Sequence, residues 1–357
     1  MNRLRVVVLY GGRSVEREVS RVSARTIVAA LDRSKYDVLP LAVSEEGRFL
    51  SAADSARLLT EGPVPDRFRR AEPESEALVP IDISPGRADV VFPIIHGTTG
   101  EDGTLQGFLD FLGIPYVGAG VTGSAIGMDK PVFKTLLSSA GIPTPRSVVV
   151  RSSDRGGRAR QMAASLSLPV FVKPATGGSS VGVVKVRDLD RLDDGLAEAF
   201  RYDDRALIEE GIDARELECA VLGDDEPRAS VPGEVVPGHE FYDYDDKYRD
   251  DKAKLLIPAP VPDAIAQEVR RLAVEAFRLC GLSGMARVDF FLERGTDRVL
   301  VNELNTLPGF TAISMYPKLW EASGLPLPAL LDELIRLALA RKERRERLSH
   351  KPPAELT

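Results

Sequence analysis

The chain has 357 residues, 43% of them hydrophobic and 28% charged, a globular mixture long enough for two or three domains with cores of their own. Its net charge of -7 argues against a nucleic-acid partner, which normally requires a basic surplus, but allows an anionic substrate in a locally basic cleft. The two distant cysteines, Cys219 and Cys280, form no CxxC pair, which argues against a zinc cluster or disulfide framework; without a signal-peptide pattern or a membrane-length apolar run, a cytoplasmic protein with no membrane partner is expected.

Leu4–Tyr10 is a continuous apolar, β-branched run ended by Gly11-Gly12 and predicts a buried strand. Val15, Val19, Val22, Thr26, Ile27 and Ala30 then recur at helical spacing. Tyr36–Val43 predicts a second strand, and residues 45–87, rich in Pro, Glu, Arg and Ser, predict a charged insertion with little structure. Asp89–Ile95 predicts another buried strand, followed by the loop His96–Gly103 and a helix Thr104–Leu112. This alternation predicts a parallel α/β domain over 1–118.

A small α+β domain is expected over 119–212. Asp129 can cap a helix with Pro131 in its first turn and Gly141 at its end. Strands follow at Ser147–Arg151, Pro169–Lys173, Val181–Val186 and Ala206–Glu210. The third region, 213–357, holds a strand Glu218–Leu222, an irregular stretch Pro237–Lys254, a helix Asp263–Cys280 and strands Ala286–Leu292 and Arg298–Leu304. A helix from Pro328 and a frayed charged tail beyond about Arg341 close the chain.

Two motif matches are lures. Gly118-Ala-Gly-Val-Thr-Gly123 fits the dinucleotide fingerprint, yet residues 130–153 contain no acid to hold a ribose, so a turn at a domain boundary is the better reading. Gly178-Ser-Ser-Val-Gly182 fits the nucleophile elbow, yet a strand rather than a helix is expected after it. The same stretch makes better sense as a phosphate loop. Phe171-Val-Lys173 is a strand ending in a cation, and Ala175–Ser180 offers backbone N–H groups and hydroxyls to anionic oxygens at close range. No GxxxxGK[ST] is present, so this is not a P-loop.

A carboxylate cluster is expected near the end of the chain. Strand alternation puts Arg287 and Asp289 on one face and Glu303 and Asn305 on another, and the turn Arg294–Asp297 predicts a hairpin that brings the strands side by side. Asp289, Glu303 and Asn305 then form an oxygen-only donor set of the kind Mg2+ prefers.

Together, Val172-Lys-Pro174, Gly178–Gly182, Arg287-Val-Asp289 and Glu303–Gly309 resemble the ATP-grasp ligases. Gly11–Ser20, Ile95–Thr104 and Glu240–Tyr248 narrow the resemblance to the D-alanine–D-alanine ligase family, in order and over nearly the whole chain. The resemblance implies a three-domain ATP-grasp fold of α/β and α+β parts, with the nucleotide held between the central and C-terminal sheets. It implies ATP-dependent ligation of two D-alanine molecules through a D-alanyl phosphate, for peptidoglycan synthesis, with two Mg2+ ions or Mn2+ in their place. Lys130, Lys173 and Lys247 would face the phosphates, with Ser179, Ser180 and Val181 in the lid. Glu209, Glu210 and Ile212 would border the adenine, Glu216 would hold the ribose, and Asn302 and Glu303 would complete the ATP site. Asp289, Glu303 and Asn305 would bind metal. Glu16 would hold the ammonium of the first D-alanine in a hydrogen-bonded group with Ser179 and Tyr248. Ser314 and Met315 would receive the second carboxylate, near His96, and Arg287 with the Gly309 N–H would stabilise the tetrahedral oxyanion.

The stretch 237–254 is expected to be a mobile loop that closes over reactants. A relative with D-lactate or D-serine as acceptor shares this chemistry. A non-catalytic nucleotide-binding module is a different class, and the complete set Lys173, Arg287, Asp289, Glu303 and Asn305 argues against it. No motif decides the oligomeric state, for which a homodimer is one option.

Overall fold

A computed structural model describes residues 3–61, 83, 86–237 and 254–349. The first span builds a parallel sheet in which β1 (Leu4–Gly11) lies between β2 (Tyr36–Val43) and β3 (Val90–Pro93). Val6–Tyr10 are fully buried, as a parallel strand covered on both faces requires. Helix α1 (Arg17–Ala30) packs on β1, but not through the valine stripe expected from its spacing. Val15 and Val22 are exposed, and the buried face is Ser20, Ser23, Ala24 and Ile27. The reason is polar. The Ser20 hydroxyl accepts the Gly11 N–H at 2.8 Å and donates to the Ile94 carbonyl, while the Ser23 hydroxyl accepts the Phe310 N–H at 3.0 Å. Small side chains let the helix approach both the sheet and the 309–310 turn.

The stretch expected to carry little structure contains α2 (Ala52–Glu61). Its Leu58 and Leu59 are buried, and the Ser55 hydroxyl accepts the Ala42 N–H at 2.9 Å. Tertiary burial of two leucines and a serine overrides the polar composition there, while residues 62–82 and 84–85 of that stretch lie outside the described residues. Helix α3 (Thr104–Phe111) completes this part.

The Gly118–Gly123 stretch is a turn only in its first half, because α4 (Val121–Met128) begins inside it. Helix α5 (Lys130–Ser139) starts as expected: the Asp129 carboxylate accepts the Val132 N–H at 3.0 Å, and Pro131 sits in the first turn. The central sheet is antiparallel, in the order β4 (Ser147–Arg151), β7 (Arg205–Glu210), β5 (Val170–Pro174), β6 (Val184–Val186), with α6 (Gly157–Ala163) and α7 (Leu192–Ala199) beside it. β6 begins three residues later than expected. Ser179, Ser180 and Gly182 have φ of 51°, 58° and 73°, which no extended strand allows.

The C-terminal sheet is antiparallel in the order β11 (Lys254–Leu256), β10 (Gly233–Val236), β8 (Ala214–Gly223), β12 (Gly284–Glu293), β13 (Val299–Asn305), with the short β9 (Arg228–Ala229) against β8. Helix α8 (Asp263–Leu279) covers one face, and α9 (Met315–Ala322) packs against β8. While residues 350–357 lie outside the described residues, helix α10 (Leu327–Glu346) continues past Arg341, so the first part of the expected frayed tail is helical. Arg341 explains this: it donates to the Tyr116 carbonyl at 2.7 Å and lies over the Tyr116 ring.

One core joins the N-terminal sheet to the C-terminal sheet through Tyr10, Phe92, Phe310, Tyr316 and Leu334. A second packs Phe133 and Leu137 of α5 with Phe277, Val288 and Val301, so α5 rests on the C-terminal sheet. The central sheet has its own small core around Val150, Val172 and Ile208. The cleft between the last two is where the site residues meet. Among the described residues, no helix is long and apolar enough to cross a membrane.

Candidate active site

Two cavities adjoin in that cleft. The larger, about 460 Å³, is bounded by Lys173, Ser180 and Ile212 on one side and by Glu216, Asp289 and Asn302 on the other. That volume suits a drug-sized ligand such as a nucleotide. The smaller, about 140 Å³, is bounded by Glu16, His96, Arg287, Gly309, Ser314 and Met315. Both share Lys130, Gly178, Ser179, Glu218 and Glu303 as a common boundary.

The C-terminal wall is a row of acids. Cross-strand register opposes Asp289 to Glu303 on one side and to Glu218 on the other, while Arg287 opposes Asn305. Opposed residues of antiparallel strands point to the same face with close Cβ atoms. Arg287, Asp289, Glu303 and Asn305 therefore share one face, not the two that alternation along separate strands had implied. The register also slips between Asp289 and Phe290, leaving Asn302 as an extra residue on β13. That bulge lets Asn302 and Glu303, adjacent in sequence, both line the larger cavity.

Arg287 donates to both Asp289 oxygens, at 2.7 and 2.6 Å, and lies 2.9 Å from Glu218. Burial opposes its charge, but these carboxylates more than compensate and hold it firmly protonated. Among the described residues, no three His, Cys, Asp or Glu side chains form an all-protein metal cage. The donor set nevertheless fits Mg2+, which binds through one or two carboxylates and shares the rest of its shell with phosphates and water. Asp289 and Glu303 are opposed carboxylates, Asn305 Oδ1 accepts the Leu307 N–H at 3.1 Å, and the buried Asn302 Oδ1 has no donor among the described residues.

The opposite wall is basic. Lys173 of β5 donates to Glu209 of β7 at 2.6 Å, and Lys134 of α5 contacts the other Glu209 oxygen. Lys130 donates to the Gly177 carbonyl at 2.6 Å. Burial lowers the pKa of Lys130 and Lys134 despite nearby carboxylates. At Lys173 burial is overcome by Glu209, which raises it, and at Glu209 burial is overcome by Lys134 and Lys173, which hold it below the ordinary carboxylate range. Glu209 thus faces the lysines as well as bordering the cavity. The Glu210 carboxylate accepts the Ser167 N–H at 2.7 Å and lies 3.2 Å from Arg146, so one of its oxygens is engaged away from the lysines. Val181 and Glu216 also line this cavity.

The small cavity is organised by α1 and the lid turn. Gly11, at φ 95°, brings the chain so close to β2 that a Cβ there would sit 2.4 Å from the Val43 carbonyl. The turn delivers Glu16 to the start of α1, where the Ser179 hydroxyl, 163 residues away in sequence, donates to its carboxylate. Left-handed φ at Ser179 and Ser180, unusual for residues with a Cβ, aims this lid turn into the junction. The Ser314 hydroxyl accepts the Thr311 N–H at 2.9 Å and packs so near Gly309 that a Cβ there would meet it at 2.9 Å. His96 is buried with Nδ1 3.5 Å from Glu101. Burial alone would depress it, but Glu101 and Glu16 together raise it.

Sequence reading missed Glu101, Glu218 and Lys134. Glu101 falls inside the quoted loop motif, five residues after His96; Glu218 follows Glu216 by two on a strand; Lys134 follows Lys130 by four on a helix. Those spacings put the latter two on the same face as a chosen residue. Lys247, Tyr248 and nearly all of the expected closing loop 237–254 lie outside the described residues.

The family model described as D-ala D-ala ligase N-terminus matches residues 5–119, and the one described as D-ala D-ala ligase C-terminus matches 136–336. A D-alanine–D-alanine ligase of Caldicellulosiruptor bescii is 44% identical over 366 residues, covering 98% of this chain and 99% of the relative. The solved D-alanine–D-alanine ligase of Coxiella burnetii matches with a TM-score of 0.84 at 39% identity, covering 97% of each chain. The solved D-Ala:D-Ser ligase VanG of Enterococcus faecalis matches with a TM-score of 0.82 at 33% identity, covering 94% of this chain and 100% of that one.

Proposed function

The chain belongs to the D-alanine–D-alanine ligase family, and from that premise we propose that it joins two D-alanine molecules at the expense of ATP, in the cytoplasm, for peptidoglycan synthesis. The observation that carries this reading is the common boundary of the two cavities. A nucleotide in the larger can present its terminal phosphate at Lys130, Ser179 and Glu303, where a small amino acid in the other cavity can present its carboxylate.

A carboxylate is a poor electrophile because its leaving group would be oxide. In the first step a carboxylate oxygen of one D-alanine bonds to the γ-phosphorus, the bond to the β-phosphate oxygen breaks, and ADP leaves. Glu16 pairs with the ammonium of that D-alanine, and Ser179 fixes the Glu16 rotamer. Lys130 and Lys173 neutralise phosphate charge, the work that phosphoryl transfer asks of a protein. Asp289, Glu303 and Asn305 would hold Mg2+, which when bound offsets the charge of the phosphates. In the second step the free amine of another D-alanine attacks the acyl carbon, the bond to phosphate breaks, and the proton lost by the amine leaves with the phosphate. Arg287 and the Gly309 N–H face the oxyanion that forms between these events. Ser314 receives the incoming carboxylate. Tyr248 is proposed to select an amine over a hydroxyl acceptor through its own hydroxyl.

The test is product identity. Chain incubated with ATP, Mg2+ and D-alanine should give D-alanyl-D-alanine with one ADP and one phosphate per dipeptide, by mass spectrometry. D-Lactate or D-serine added at equal concentration should not become the main acceptor. ADP release without dipeptide, or a mixed product dominating, would sink the reading.

A further inference from the structure

Glu209 and Lys173, paired at 2.6 Å inside the cleft wall, cancel each other's charge. A neutral pair would give a triphosphate little to bind. Besides Lys130, the wall carries one more charge, however. Lys134 sits behind it, 5% exposed, lines neither cavity, and contacts the second oxygen of Glu209. It reaches there from α5, one helical turn after Lys130, so the same helix that supplies one phosphate-facing lysine supplies the counter-charge behind the other. Glu209 is 1% exposed, so its pairing with the lysines is little screened by solvent.

We propose that Lys134 is a positioning residue for nucleotide binding: by engaging Glu209 from behind, it frees the positive charge of Lys173 for the phosphates. This rests on the reading of the larger cavity as an ATP site. Two physical points support it. A carboxylate flanked by two ammoniums, one hydrogen-bonded and one in ion-pair contact, offers each of them a weaker hold than it offers one alone, so Lys173 can exchange part of its bond for a phosphate oxygen. Removing one member of a buried charge cluster also leaves the others mismatched, whereas removing two opposite charges together does not.

That asymmetry makes the test. Affinities for ATP, ADP and adenosine, with Mg2+ present, are measured by calorimetry for wild type, K134R, K134Q and the double variant K134Q/E209Q, with melting temperature as a check on folding. K134R should stay within about threefold of wild type, because the charge persists, and K134Q should lose roughly tenfold or more for ATP and ADP, the loss expected when a charged partner is mismatched in a buried cluster. Adenosine, which has no phosphate, should bind K134Q as it binds wild type. K134Q/E209Q should recover most of the ATP affinity, since Lys173 then has no carboxylate to hold it. Equal losses for adenosine and ATP, unchanged ATP binding by K134Q, or no recovery in the double variant would each overturn the proposal. If K134Q cannot be purified but K134Q/E209Q folds and binds ATP, the proposal stands; if both fail to fold, Lys134 is a structural counter-ion and the proposal falls. Wild type that binds adenosine no more weakly than ATP would instead refute the ATP-site reading itself.

Discussion

The two walls of the cleft carry opposite charge and hold it differently. On the C-terminal wall, Glu218, Asp289 and Glu303 surround Arg287, and all four sit on three neighbouring strands of one sheet. On the facing wall, Lys130, Lys134 and Lys173 outnumber Glu209, and they come from α5, β5 and β7. The acid row is fixed by backbone hydrogen bonding within one sheet, so its spacing persists whatever the domains do. The basic cluster bridges two cores, because α5 packs on the C-terminal sheet while β5 and β7 belong to the central one. The proposed metal site would benefit from the first construction and the proposed phosphate site from the second.

The largest effect should come from breaking the acid row. Asp289→Asn or Glu303→Gln should cut dipeptide formation roughly a thousandfold or more, because phosphate charge is no longer neutralised, while adenosine binding persists. Normal turnover of either variant at ordinary Mg2+ would remove that residue from the metal site. Next, Arg287→Met takes away both the proposed oxyanion donor and the counter-charge of Asp289 and Glu218. It should lower kcat by roughly a hundredfold to a thousandfold, the cost of one lost donor, and should also lower the melting temperature. A variant that melts early yet turns over normally would make Arg287 purely structural.

A smaller effect is expected where the walls meet. Ser179→Ala removes a hydrogen bond to the Glu16 carboxylate, worth about 1.5–3 kcal/mol for a charged acceptor, so KM for the first D-alanine should rise by roughly tenfold to a hundredfold. If kcat falls and KM does not, Ser179 acts on the phosphoryl group instead. The smallest effect is a pH signature of the basic wall. Burial works against the Glu209 charge, yet Lys134 and Lys173 hold its pKa below the unfolded value, so its stabilisation is full above about pH 4.5 and disappears as pH falls through the lowered folded value. Urea unfolding between pH 7 and 3 (a range set by ordinary carboxylate pKa values of about 4) should show wild type losing more stability on acidification than Glu209→Gln. Parallel curves would mean that the cluster is not held as an ion pair.

Much of the acid wall was legible because it is encoded locally. Arg287 and Asp289 are two apart, as are Glu303 and Asn305, and two-residue spacing on a strand leaves only the choice of face. The bulge at Asn302 was not legible, since a one-residue slip in pairing leaves no mark on either strand alone. On the basic wall Lys130 and Lys173 were chosen from motifs, but Lys134 looked like any helix lysine until β7 placed Glu209 against it. The α1 stripe failed for a related reason: its valines have the right period, but the face that packs is decided by Gly11, Ile94 and Phe310, which hydrogen-bond to its serines.

The sequence by itself therefore determined the strands β1–β5, β7, β8, β12 and β13 and the helices α1, α3, α5, α8 and α10 in chain order, the spacing within each acid pair and, through motif likeness, the family. These follow from short-range backbone preference, side-chain period and local charge. Only the tertiary structure decided that Glu16 meets Ser179, that Glu218, Asp289 and Glu303 form one row, and that Glu209 lies between two lysines. Each of those contacts joins residues far apart in the chain, and its existence depends on strand register and on how two sheets dock, which are settled by burial of whole cores rather than by any local run of residues.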